Sequence, residues 1–230
     1  MPRESRPAES WGYGVQNGPE LWGTLDKSYC ACAFGKEQSP VDLTGERLSN
    51  LKPVVFEYRP SRIEVVNTGH TIQVNPDPGN GIVIDAIRHE LEQFHFHRAS
   101  EHLVAGTPYP MELHLVHRNS GGGLAVVGIL IVEGAEHAGL APIWAQLPTD
   151  PGDSRPVPGT FDPASLLPAF RTTWRYMGSL TTPPCTEGVA WIIPDAPLSM
   201  SLAQIDAFAA IYPKNCRPVQ PLGDRVLRRG

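Results

Sequence analysis

Gln93-Phe94-His95-Phe96-His97 is the stretch on which the fold turns. On an extended strand, successive side chains point to opposite faces. Gln93, His95 and His97 then share one face, and Phe94 and Phe96 share the other. The phenylalanines bury the reverse side and stiffen the strand, while two imidazoles two residues apart converge on one point. A second stretch, Met111-Glu112-Leu113-His114-Leu115-Val116-His117, also reads as a strand. Here Glu112, His114 and Val116 fall on one face, and Leu113, Leu115 and His117 on the opposite one.

Outward from these two stretches, further strand signals dominate. Residues 54–58, 63–66, 71–74, 81–84, 113–116 and 124–132 form short β-branched runs bounded by Gly, Pro or Asn. Helical candidates are few: residues 163–170, and residues 201–211 with Ser199 or Ser201 as N-cap. The expected fold is therefore a β-dominated α+β domain. At 230 residues the chain holds one sizeable core. Residues 1–10 are expected to be a flexible tail and residues 11–230 a single domain. The Pro-, Gly- and Asp-rich residues 148–163 read as a surface loop rather than a linker.

Composition narrows the class. Hydrophobic residues make up 41% and charged residues 19%, as in ordinary globular domains. The formal net charge is -5 with no basic block, which argues against nucleic-acid binding. Arg225, Arg228 and Arg229 read as a solvated tail rather than a binding patch. No apolar run reaches the length of a membrane span. The opening MPRESRPAES lacks the apolar core of a signal peptide. Of the four cysteines, Cys30 and Cys32 are too close for a zinc pair, and pairing among Cys30, Cys32, Cys185 and Cys216 stays open.

His95 and His97 on one strand and a histidine from the other can hold a metal ion. Both His114 and His117 qualify as third ligand, and strand parity separates them. A metal-bound imidazole usually gives its other N–H to a carboxylate or carbonyl. Glu112 is placed to receive it from His114, whereas His117 has no carboxylate at the matching position. Gln93 can orient His95 in the same way. Three neutral imidazoles leave zinc (Zn2+) one open position, the arrangement of a catalytic site. A His-x-His on an apolar strand is equally often a satisfied core pair, so the weight falls on what accompanies it. Gly178-Ser179-Leu180-Thr181-Thr182-Pro183-Pro184-Cys185-Thr186-Glu187-Gly188 is a rigid loop, because its prolines cannot continue a central strand. A threonine hydroxyl there can accept a hydrogen bond from a zinc-bound hydroxide and must then donate its own to a buried carboxylate. Glu101 is the candidate acceptor.

Together these passages resemble the α-class carbonic anhydrases, and the short format with Thr-Pro-Pro-Cys resembles the bacterial members. Trp11-Gly12-Tyr13-Gly14, Asn17-Gly18-Pro19, Gln38-Ser39-Pro40, Asn67-Thr68-Gly69-His70, Ser100-Glu101-His102 and residues 215–221 extend the likeness in family order. The resemblance implies a large central twisted, mostly antiparallel sheet with a few short surface helices. It implies zinc on His95, His97 and His114, and reversible hydration of carbon dioxide by a zinc-bound hydroxide. Thr181 with Glu101 would aim that hydroxide, and Gln93 and Glu112 would support the ligands. Thr182 would line the bicarbonate position, and Val116, Val126, Leu180, Val189 and Trp191 would form the apolar carbon dioxide pocket. His70 would shuttle the proton, with Tyr13, Thr68 and Gln73 holding water wires. Cys32 and Cys185 would form a disulfide, worth ~4 kcal/mol as a long-loop crosslink. That bridge implies a periplasmic or extracellular location, whereas the opening residues carry no signal peptide.

The sequence departs from the bacterial pattern at Arg98-Ala99, where a small polar residue and a proline are common. Arg98 alternates away from the histidine face, so altered packing is expected rather than altered chemistry. Two other readings compete. An inactive binding module would have lost a ligand histidine, and none is lost here. Hydrolysis of small esters is compatible as a side activity of the same site. The expected partner is a small molecule, with the chain acting as a monomer or homodimer.

Overall fold

The computed structural model describes residues 11–170 and 172–230, so the flexible tail expected at residues 1–10 lies outside it. Eight strands organise the site: β1 (Ile63–Asn67), β2 (Ile72–Pro76), β3 (Ile87–His97), β4 (Met111–Asn119), β5 (Leu124–Glu133), β6 (Thr173–Ser179), β7 (Glu187–Pro194) and β8 (Arg228–Arg229). They belong to a 13-stranded sheet in the order Ser154–Pro156, β1, β2, β3, β4, β5, β7, β6, β8, Arg47–Leu48. Pairing along this path is antiparallel except between β5 and β7 and between β8 and Arg47–Leu48.

The two faces of this sheet bury different sets of side chains. On the rear face, Phe94, Phe96, Leu113, Leu115, Val127, Ile129 and Ile192 join the main hydrophobic core. Each fully buried side chain of this size contributes about 1.5–3 kcal/mol. On the front face, Val116, Val126, Tyr176, Val189, Trp191 and Ile193 form a second cluster. The period-2 reading of β3 and β4 therefore holds, and it extends through β5, β7 and β6.

Helices are short, as expected. Helix α1 (Leu202–Ala209) starts at Ser201, whose hydroxyl accepts from Gln204 N while the Gln204 side chain returns to Ser201 N. The helix expected over residues 163–170 is only a 3-10 turn, Pro163–Leu166. Pro168 stops it, because the residue before a proline is pushed out of the helical region.

Two loops tie distant parts of the chain together. Cys32 and Cys185 form a disulfide across a separation of 153 residues and pack with Trp22. Cys30 is an exposed free thiol and Cys216 a half-buried one. The C-terminal arginines are not a loose tail, although Arg228 stays exposed. Arg228 and Arg229 pair with β6. Arg225 donates to the carbonyls of Leu222, Met177, Gln38 and Pro221, because those acceptors crowd around its guanidinium.

Candidate metal centre

Cross-strand register builds the centre. His95 on β3 stands directly opposite His114 on β4, and His97 stands opposite Glu112. His95, His97 and His114 each offer one ligand atom, all within 4.8 Å of one another. The ring centroids are 4.9 Å apart for His95–His97, 5.3 Å for His95–His114 and 4.5 Å for His97–His114.

Each imidazole is held through its outer nitrogen. His95 Nδ1 donates to Gln93 Oε1 at 2.8 Å, and His97 Nδ1 donates to the Asn215 carbonyl at 2.8 Å. His114 Nε2 donates to Glu112 Oε1 at 2.8 Å. These bonds fix the tautomers, so lone pairs on His95 Nε2, His97 Nε2 and His114 Nδ1 face one point. His97 Nε2 is buried and has no hydrogen-bond partner. An orphaned acceptor of this kind is costly unless something fills the point it faces. Burial also lowers the pKa of all three rings, to about 4 for His97, so they stay neutral and able to bind a metal. His117 behaves differently. It lies on the rear face, fully buried, with Nε2 2.8 Å from the Tyr58 hydroxyl.

Glu112 does more than orient His114. Its Oε2 accepts from Glu101 N at 2.9 Å and His102 N at 2.8 Å, and its Oε1 also takes His102 Nδ1 at 2.7 Å. Burial pushes its carboxyl up, but His102 and His114 outweigh this and hold it well below the ordinary range. The network continues to the Tyr176 hydroxyl, 2.7 Å from His102 Nε2, and on to Ser39 Oγ at 2.9 Å. Ser39 and Ser179 then bind each other reciprocally, at 2.9 and 3.0 Å. Ser179 opens the loop that carries Thr181, so this buried chain joins a ligand histidine to the threonine loop.

Glu101 is almost wholly buried. One carboxylate oxygen accepts from Arg217 N at 2.7 Å. The other has no hydrogen-bond partner and lies 3.5 Å from His97 Nε2 and 3.8 Å from His114 Nδ1. Burial pushes the Glu101 pKa up to about 7, while His114, the Arg217 amide and the Thr181 side chain pull it back. Thr181 and Thr182 line a cavity of about 200 Å³ with His95, His114, Val116, Val126, Leu180 and Trp191. Val189, expected in this wall, is fully buried within the same front-face cluster as Val116, Val126 and Trp191. Leu124, its partner across β5 and β7, also lines the cavity.

The expected proton path is more dispersed. His70 is half-buried, stacks on Trp11 at 3.7 Å, and lines a separate cavity of about 560 Å³ with Tyr13 and Tyr212. Burial lowers its pKa. The Thr68 hydroxyl is spent inside its own turn, donating to Thr71 O and accepting from His70 N and Thr71 N. These bonds shape the loop that presents His70. Gln73 pairs with His95 across β2 and β3 and donates to Asn75 Oδ1 at 2.7 Å. Asn215 escaped the sequence reading as an orienting residue. Besides holding His97, it donates to the carbonyls of His70 and Phe96 and accepts from Arg98 N.

This geometry meets a family pattern over nearly the whole chain. The model of the eukaryotic-type carbonic anhydrases matches residues 17–230. The chain belongs to that family. A carbonic anhydrase from Nostoc sp. is 42% identical over 227 residues, covering 95% of this chain and 85% of the relative. One from Klebsiella pneumoniae is 41% identical, covering 96% and 91%. The α-carbonic anhydrase of Thermovibrio ammonificans, solved in complex with the inhibitor sulfanilamide, superposes with a TM-score of 0.93 at 42% identity. That match covers 95% of this chain and 98% of the other. The chain is thus a carbonic anhydrase homologue with its histidine triad in place. No described helix is long and apolar enough to cross a membrane.

Proposed function

We propose that the chain catalyses the reversible hydration of carbon dioxide to bicarbonate with zinc held by His95, His97 and His114. The observation that carries this reading is the orphaned, buried His97 Nε2, which faces the same point as the His95 and His114 lone pairs. Three neutral nitrogen donors suit zinc and leave a position open to water. Zinc there would acidify that water, an effect for which carbonic anhydrases are themselves the reference case.

The chain's own groups do the rest. The Thr181 hydroxyl donates a hydrogen bond to Glu101, which leaves Thr181 Oγ1 with lone pairs facing the cavity. A water or hydroxide in the cavity then donates to Thr181 Oγ1 and turns its own lone pair elsewhere. Val116, Val126, Leu180 and Trp191 offer an apolar wall where an uncharged substrate displaces water and lies in reach. Thr182 stands at the cavity edge, placed to contact the bicarbonate formed. His70 accepts the released proton, and its stack on Trp11 holds the ring in a defined place.

The disulfide between Cys32 and Cys185, together with the bacterial relatives, fits an exported protein, and we place it in the periplasm or outside the cell. Every residue of the site comes from one chain, so a monomer suffices and a homodimer is compatible. Residues 11–230 act as one catalytic unit. Stopped-flow hydration of carbon dioxide, with and without a chelator and a sulfonamide, tests the reading. Activity that survives chelation would refute it.

A further inference from the structure

Behind β6 and β7, on the face away from the histidines, lies a cavity of about 600 Å³. Register places it. Tyr176 and Trp191 pair across β6 and β7 and point into the front cluster. Arg175 and Ile192 pair beside them, and Ile192 belongs to the rear core. The β6–β7 pair therefore partitions this cavity from the metal centre.

Arg175 has a second cross-strand partner, Arg228 on β8. Two like charges directly opposite on adjacent strands repel and destabilise the pairing. Neither makes an ion pair among the described residues, although Asp85 acts on Arg175 from beyond ion-pair distance. The Arg175 side chain makes one hydrogen bond, from Nε to Thr173 Oγ1 at 2.9 Å, which leaves both terminal nitrogens open. The nearby Asp85 is paired with Lys52 at 3.4 Å. Arg228 has no ion pair among the described residues. The contrast with its neighbour is sharp: Arg229 reaches Glu46 at 3.3 Å and Asp195 at 3.7 Å, and lies 4.7 Å over Trp174. Arg175 and Arg228 thus stand side by side on a cavity wall that also carries Lys52, Arg225, Asp85 and Glu37, a net positive lining in a chain of net charge -5. Ile84, Met177 and Val226 supply apolar surface in the same cavity.

We propose that this cavity is a second binding site, distinct from the metal centre, for a small organic oxyanion. The carboxylate or phosphate head lies between Arg175 and Arg228, where a planar guanidinium makes paired, charge-assisted hydrogen bonds. The apolar body rests against Ile84, Met177 and Val226. Binding removes the repulsion between the arginines, so the site gains by being filled.

Calorimetric titration of the zinc enzyme, with its metal centre saturated by a sulfonamide, tests this with two probes. Phenyl phosphate and benzoate share the proposed chemistry, and their relative affinities separate a phosphate from a carboxylate ligand. Saturable one-site binding of at least one probe is expected. The double variant Arg175→Gln/Arg228→Gln should weaken it by about fivefold or more while carbon dioxide hydration stays unchanged. Absence of saturable binding by either probe, or a smaller loss in the double variant, overturns the proposal. If the double variant does not fold, Arg228→Gln, at an exposed position, decides by the same threshold.

Discussion

His95 and His114 face each other across adjacent antiparallel strands, with ring centroids 5.3 Å apart, while His117 is turned to the rear core. His114→Ala should therefore abolish zinc binding, and His117→Ala should leave the affinity within about threefold, because rear-face changes add independently of the centre. Competition against a chromophoric chelator reads both. In the wild type, zinc at a hundredfold excess over its Kd should stabilise the fold by ~2.7 kcal/mol.

Gly128 pairs with His114 on the neighbouring strand, and a Cβ added there would stand 3.0 Å from Glu112 Oε1. Glu112 cannot yield, since four hydrogen bonds fix its two oxygens. Gly128→Ala should thus disturb the group that orients His114 and weaken zinc binding about 10–100-fold. Unchanged affinity would show that the Glu112 contact is dispensable.

Burial depresses the pKa of His117 to about 3, against an ordinary value of 6.5. The folded state holds the ring neutral, and the unfolded chain takes up a proton first as pH falls. His117 thus costs nothing above pH ~6.5 and destabilises progressively as pH drops towards ~3. At pH 5 the loss is ~2 kcal/mol. Urea unfolding of metal-free wild type and His117→Gln between pH 7 and 4 should show a shallower decline in the variant. Parallel declines would exclude His117 as the titrating group.

The Cys32–Cys185 disulfide closes a loop of 153 residues and anchors the loop bearing Thr181. Gln38 and Arg217 knit the same region: Gln38 donates to Cys185 O at 3.1 Å, and Arg217 to Cys32 O at 2.9 Å. Reduction, or Cys32→Ser with Cys185→Ser, should cost ~3–5 kcal/mol. Calorimetry should register this as a Tm lower by about 10 °C. An unchanged Tm would mean that these hydrogen bonds hold the loop without the bridge.

Much of this was legible in the sequence, for a physical reason. The two-residue period of a strand is visible wherever apolar and polar residues alternate, so residues 93–97 and 111–117 disclosed both faces and the third ligand. The strands β6 and β7 were not legible in that way. Trp174 and Tyr176 are apolar on the front, but Arg175 and Met177 behind them do not complete a simple alternation. Asn215 was hidden by distance, 118 residues from His97, and because it offers a backbone carbonyl that any residue carries. Leu124 was missed in the pocket wall, and register sets it beside Val189 there.

The reach of Asn215 has a consequence for how the molecule comes to be. The contacts that finish the centre join residues 118 positions apart for His97–Asn215 and 116 for Glu101–Arg217. Closing such long loops costs entropy before any contact repays it, so these are late events in folding. A chain emerging from the ribosome can pair β3 with β4 and bring three imidazoles together while the Asn215 support of His97 and the Arg217 anchor of Glu101 are still unmade. Competence to hold the metal firmly should therefore arrive near the end of folding, after most of the sheet has formed.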